Sequence, residues 1–201
     1  PAKNEEGNIP DIISRLPKFG VHQEIIFVEG NSTDLTWHNI QNEVNKKRKN
    51  TIIVKAYKQK GKGKADAVRL GFNKATGEIL IIYDADKTIE ANDLPKFYNA
   101  LASGKGEFIN GSRLVYPMEK DAMRILNMIG NKIFSVLFTL ILGQRFKDTL
   151  CGTKALFKKD YLKFKRFKSD PFGDFELIFG AIQNNLKIIE IPVRYKERVY
   201  G

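Results

Sequence analysis

Two aspartates stand two residues apart at the end of the most apolar stretch of the chain. In ILIIYDADKT (residues 79–88) a continuous apolar run, the mark of a strand covered on both faces, stops at Asp84 and Asp86. Side chains two apart on an extended chain share a face, so both carboxylates can converge on one hard divalent cation, Mg2+ or Mn2+, that in turn bridges a diphosphate. Capping of the following turn and helix is the bland account of the same pair. Position at the tip of a buried strand favours the metal.

A second polar cluster has the same design. EIIFVEGNSTD (residues 24–34) is an apolar strand followed by Glu29, Asn31, Ser32 and Asp34. Carboxylates there can accept from ribose hydroxyls or base N–H groups, whereas Asp34 is better read as the cap of a helix beginning near Leu35. The segment KQKGKGKADA (residues 58–67) has neither the GxxxxGK[ST] nor the GxGxxG spacing, which excludes a phosphate loop of those types. FGDFELI (residues 172–178) opens a helical pattern with Asp174 and Glu176, where the helix dipole alone favours acids.

These groups need a scaffold. EIIFV, TIIVKAY, EILIIYDAD, EFINGSR and KIIEIPVRY read as strands beginning at residues 24, 51, 78, 107 and 187. Helical periodicity falls on 11–16, 35–48, 64–74, 93–103, 121–142 and 174–184, several opening on Asp as a cap, with Gly77 and Gly104 near helix ends as left-handed residues. Alternation of this kind predicts an α/β fold with a mostly parallel central sheet and helices on both faces, its ligands beyond the carboxyl ends of the strands.

With 201 residues and 42% apolar composition the chain can bury one sizeable core, and residues 1–201 read as a single domain. It opens at Pro1 directly on a polar motif, so the first strand is expected to lie upstream. A net charge of +11 favours anionic partners: nucleotides, a phospholipid surface or nucleic acid. The single cysteine, Cys151, reads as a small buried filler and fits a reducing cytosol. Two histidines and one cysteine make no zinc set, and no GxSxG elbow is present. No apolar run reaches the roughly 18–20 residues of a bilayer span. Residues 120–147 place Met123, Ile125, Leu126, Met128, Ile129 and the run 133–142 between Lys120, Arg124, Arg145 and Lys147, which fits a core helix or one lying on an anionic membrane surface equally well.

PAKNEEGNI, EGNSTD, DAD, GSR, DTLCGTKALF, FGDFELI and IPVRYKERVYG occur in that order along almost the whole chain. The series resembles family 2 glycosyltransferases of the GT-A fold, and within them dolichyl-phosphate mannose synthases and bacterial polyprenyl-phosphate sugar transferases. The resemblance implies an inverting, metal-dependent transfer of a hexose from a UDP- or GDP-linked donor to a polyprenyl or dolichyl phosphate, in the cytoplasm or at the cytoplasmic face of a membrane, without nucleic acid. It further implies that Pro1, Asn4, Glu5, Glu29, Asn31, Lys64 and Asp66 hold the nucleotide sugar with Asp84 and Asp86. The two aspartates would be the metal ligands. Arg113 and Arg198, the latter in an R-x-x-G match, would neutralise the departing diphosphate. Asp174 or Glu176 would face the acceptor and take a proton or orient it. This chain has EGNS where the family commonly has DDGS, and Thr88 where the lipid-phosphate branch often has Gln. A basic nucleic-acid-binding module and a nucleotidyltransferase on a similar scaffold are the alternatives; PAKNEEGN lacks the glycine-rich loop of the second. Neither composition nor motif selects the base, the sugar or an oligomeric state.

Overall fold

The structure is a computed structural model describing residues 1–20, 22–48, 52–113, 130, 132, 133, 135, 136, 139, 140, 143, 146–165, 173–198 and 200. Its elements are α1 (Ile9–Ile12), β1 (Gln23–Glu29), α2 (Thr36–Asn45), β2 (Ile52–Lys58), α3 (Gly63–Lys74) and β3 (Ile79–Ile81). There follow α4 (Leu94–Ala102), β4 (Phe108–Ser112), β5 (Lys154–Phe157), α5 (Lys158–Tyr161), α6 (Asp174–Gln183) and β6 (Ile188–Pro192).

β1 and β2 pair in parallel, from Gln23 opposite Ile52 to Glu29 opposite Lys58. A second sheet has the order β3-β5-β4-β6. The expected parallel pairing holds for β1 with β2 and β4 with β6, whereas β5 runs antiparallel to both of its neighbours. The sheet is therefore mixed. Pro1 and Ala2 touch both sheets: Ala2 N–H donates to the Val28 carbonyl, Gly30 N–H to that of Ala2, and Ala85 N–H to that of Pro1.

Period-two alternation sorts side chains to the two faces. Phe108 and Leu156 join Leu80, Val68, Phe72, Leu177 and Ile178 beneath α3 and α6. Ile109 and Ala155 point the other way, into a cluster with Phe97, Leu101 and Val193 beneath α4. A third cluster sets Ile9, Ile12 and Ile40 of α1 and α2 on Phe27 of β1. In α4 the buried Leu94, Phe97 and Leu101 recur at helical spacing, and Pro95 sits in the first turn where its missing N–H costs nothing.

Two local expectations fail. None of the longer helices is capped by an Asp side chain at its N-cap. Asp93 stands at the N-cap of α4 but is fully buried and accepts instead from Arg194 N–H and the Lys96 ammonium, a tertiary demand that outbids the cap. Gly104 has φ +69° as predicted, but Gly77 lies outside the left-handed region, because α3 ends on an extended Ala75. Most of the expected helix over 121–142 lies outside the described residues. Within it Ile133, Val136 and Leu140 are exposed, while Ser135 is buried and donates to the Phe146 carbonyl. Among the described residues no helix is long and apolar enough to cross a membrane.

Candidate active site

The carboxyl ends of β1 and β3 meet the first turn of the chain. Glu29 is only 2% exposed and its carboxylate accepts Ser32 N–H at 2.5 Å. Ser32 Oγ in turn accepts Asn4 N–H at 3.0 Å, and Asn4 Oδ1 accepts Thr33 N–H at 3.0 Å. Asn4, Asn31 and Lys87 all have positive φ, near +54° to +59°. Asn tolerates that region, but Lys87 immediately after the second aspartate is held there against its steric preference, and such local strain is found where the fold over-determines a site.

At the end of β3 the Lys64 ammonium lies 2.5 Å from Asp84 Oδ2, both side chains about a quarter exposed. Burial raises the Asp84 pKa, but the neighbouring positive charges, Lys64 first among them, together with the Lys64 hydrogen bond outweigh it and leave the carboxyl below its ordinary value. Lys64 is pushed the opposite way: burial lowers it, and Asp84 with Asp174 more than compensates. Asp86 is fixed differently. Its Oδ1 accepts both the N–H and the hydroxyl of Thr88 at 3.0 Å. Thr88 thus orients the second aspartate.

Gly152 explains how a third segment reaches this point. A β-carbon there would collide with Lys64 Nζ and with Asp84 Oδ2. The backbone of CGTK therefore passes directly against the ion pair, an approach that leaves the pair undisturbed only with glycine. Two residues on, Lys154 is fully buried, its ammonium 2.6 Å from Asp174 Oδ1 and also donating to the Cys151 carbonyl. Lys64 feels the charge of Asp174, and Asp84 that of Lys154, so the two pairs form one alternating cluster between the N-termini of α3 and α6. Gly173, with φ +78°, lets those N-termini touch; a β-carbon there would lie 3.0 Å from Ala65 Cα.

Other residues singled out from the sequence are placed as follows. Asp66 folds its own loop by accepting Gly61 N–H at 3.1 Å. Asp34 accepts Thr36 N–H in the first turn of α2, and also Glu6 N–H. Glu176 does not line the rim: its side chain is 4% exposed and closed on Arg69, which ties α6 to α3. Asp174 is the acid that stays with the cluster. Arg113 gives Nε and Nη2 to Asp148 at 2.8 and 2.9 Å, with its backbone N–H on the same carboxylate and Tyr195 against its guanidinium. Its place is set by Asp148, a partner inside DTLCGTK that the sequence reading passed over although it stands in a quoted motif. Glu5 is buried at 3% exposure and bonded to Asn8 and Arg198. Cys151 is the inert filler expected, with burial pushing its thiol up to about 11.

The glycosyl transferase family 2 profile matches residues 1–164. The chain is 30% identical over 203 residues to glycosyltransferase AglJ of Haloferax volcanii, covering all of this chain and 63% of that protein. It is 33% identical over 206 residues to a dolichol-phosphate mannosyltransferase of Pyrococcus furiosus, covering all of this chain and 56% of that one. The chain thus spans less than two thirds of either relative. Glucosyl-3-phosphoglycerate synthase of Mycobacterium tuberculosis, solved with Mn2+, UDP and glucosyl-3-phosphoglycerate, superimposes with a TM-score of 0.70 at 15% identity, over the whole chain and 70% of that structure. The shared fold is the GT-A fold. From its sequence profile, its relatives and its architecture, the chain belongs to glycosyl transferase family 2.

Proposed function

We propose that the chain is the catalytic portion of an inverting glycosyltransferase that moves a hexose from a UDP- or GDP-linked donor to a polyprenyl or dolichyl phosphate at a cytoplasmic membrane face. The carrying observation is Asp84 and Asp86 at the mouth of β3, with Lys64 against the first and Thr88 orienting the second. The relatives support the acceptor class, since one is a dolichol-phosphate mannosyltransferase, and the Mn2+–UDP complex of the structural neighbour supports the donor and the metal. Exposed Ile133, Val136 and Leu140 in a basic chain fit contact with an anionic lipid surface.

Asp84 and Asp86 would hold the divalent cation. Their hard oxygens suit Mg2+ or Mn2+, and oxygens of the donor diphosphate and of water would fill the remaining positions. Bound there, the ion supplies Lewis-acid stabilisation of the departing diphosphate. The chain's own residues do the rest. Lys64 and Arg198 meet phosphate charge, Arg113 adds a cation held in place by Asp148, and Glu29, Asn31, Asn4 and Pro1 border the nucleotide. Asp174 faces the acceptor. A phosphate acceptor is already anionic at neutral pH and needs no strong base, so the reaction does not require Asp174 to take a proton.

Part of the positive charge behind the nucleic-acid alternative is engaged within the chain: Lys46 and Arg48 bind Glu43, and Lys58 lies over the Trp37 ring. The proposed function is tested by the thermal midpoint against UDP, GDP and their sugars with Mn2+, Mg2+ or EDTA, because a ligand of the folded state raises it. A metal-dependent rise for one base is expected, together with loss of turnover in Asp86→Ala at an unchanged fold. No rise with any nucleotide, or full activity in Asp86→Ala, would overturn it.

A further inference from the structure

The end of the chain lies across its beginning, next to the aspartate pair. Tyr195 bridges antiparallel to Ile89, and Lys196 N–H donates to the Thr88 carbonyl at 2.8 Å, so this segment runs alongside the residues that follow Asp86. Beyond Lys196 the described attachments change character. Arg198 Nη2 pairs with Glu5 Oε1, Arg198 Nε donates to the Tyr200 carbonyl at 2.9 Å, and the Tyr200 hydroxyl donates to Glu6 Oε1 at 3.0 Å. The Tyr200 ring lies so close to Gly7 that a β-carbon there would be 2.7 Å from it.

The two partners in the pair differ sharply. The Arg198 side chain is 47% exposed and the Glu5 side chain 4%. Glu5 has no freedom to follow: its backbone N–H donates to Thr36 Oγ1 at 2.7 Å, and its other carboxylate oxygen accepts from Asn8 at 2.6 Å. Lys196 N–H on the Thr88 carbonyl, with Thr88 itself bonded to Asp86, brings the segment that carries Arg198 beside the proposed diphosphate site. A guanidinium presents several donors in a fork that suits carboxylate and phosphate alike, so the mobile member of the pair is the one able to change partners.

We propose that Glu5 is a positioning residue that holds Arg198 in the nucleotide-free protein, and that the β-phosphate of a nucleoside diphosphate displaces it. Glu5 thereby opposes donor binding, contrary to the direct nucleotide contact expected from the sequence. The inference rests on the nucleotide-sugar reading of the site.

The test is calorimetric titration of the whole chain with UDP and GDP, and with UMP and GMP, in the presence of Mn2+. Because the pair is half open to solvent, releasing Arg198 is worth only a modest factor, so Glu5→Gln should bind the preferred diphosphate about two- to fivefold tighter. Arg198→Ala should bind it more weakly, and adding Glu5→Gln to Arg198→Ala should give no tightening. The monophosphate, lacking the β-phosphate, should not respond to Glu5→Gln. Glu5→Asp draws the carboxylate back from Arg198 by one methylene, so it should tighten diphosphate binding in the same direction should Glu5→Gln fold poorly. Weaker binding in Glu5→Gln on both backgrounds would make Glu5 a nucleotide contact and overturn the proposal. Equal affinity in wild type, Glu5→Gln and Glu5→Asp would overturn it as well. If the wild type bound neither diphosphate, the nucleotide reading itself would fall, and the exchange with it.

Discussion

Lys154→Met removes a charge that no solvent reaches. The lysine side chain is 0% exposed and that of Asp174 9%, with 2.6 Å between ammonium and carboxylate. Methionine has nearly the same reach, so the perturbation is the loss of the charge and of two donated hydrogen bonds rather than a cavity. Breaking one side of a buried pair costs about 3–5 kcal/mol, because the remaining ion is left without compensation. Asp174 is the first residue of α6, and the N-terminal end of that helix should return about 0.3–1 kcal/mol to its carboxylate. The expected net loss is thus about 2–4 kcal/mol, or a fall of roughly 4–16 °C in Tm for a chain of this size. Urea unfolding at pH 7, read by two probes to check for a single transition, gives the number. Replacing both partners, with Lys154→Met and Asp174→Leu together, should recover stability to within about 1 kcal/mol of the wild type, since an apolar pair carries no buried charge. A single variant that loses less than about 1 kcal/mol, or a double variant no better than the single, would refute the view that this pair is a desolvated, mutually dependent ion pair.

Gly152→Ala should leave the fold intact, because the new methyl meets the flexible end of Lys64 and the Asp84 carboxylate; by forcing that pair apart it should weaken diphosphate binding by about tenfold, readable in the same titration. Glu24 gives a pH dependence away from the site. Burial raises its pKa, but hydrogen bonds from Lys55 and Thr76 N–H outweigh it, so the folded value is depressed. Its stabilisation is therefore complete above the ordinary glutamate range and disappears as pH falls through the depressed value. Glu24→Gln should be less stable than wild type at pH 7, with the gap closing below about pH 4, as measured by urea midpoints across pH.

The polar stop after the apolar run was legible and marks the rim, but the strand itself was overread: β3 ends at Ile81, before Asp84, and of its residues only Leu80 is buried. Asp84, Asp86 and Glu29 were found from such stops. β5 was not read as a strand: KALF is four residues long, and its lysine, which looks like a surface residue in sequence, is fully buried on Asp174. The partners of the site residues were equally hidden, since Arg113 with Asp148 and Arg69 with Glu176 are 35 and 107 residues apart and no local pattern encodes them. Glu176 shows the cost. Two residues from Asp174 at the start of one helix, it has the same dipole argument, but 100° per residue turns it onto α3 and away from the rim.

The positive charge of the chain is consequently not what the site presents when empty. Lys64, Arg113, Lys154 and Arg198 each stand on a carboxylate: Asp84, Asp148, Asp174 and Glu5. A diphosphate entering this rim gains only the difference between its own contacts and the pair it disrupts, so exposure decides which cations can respond. Lys154 at 0% and Arg113 at 13% are locked, their carboxylates being 9% and 0% exposed; exchanging either would strand a buried charge. Lys64 at 25% and Arg198 at 47% are the open members. The fold thus separates cations that fix the geometry of the rim from cations free to follow a substrate. The glycine at 152 lies at the boundary between the two sets, where the backbone passes against the open Lys64–Asp84 pair just before the locked Lys154.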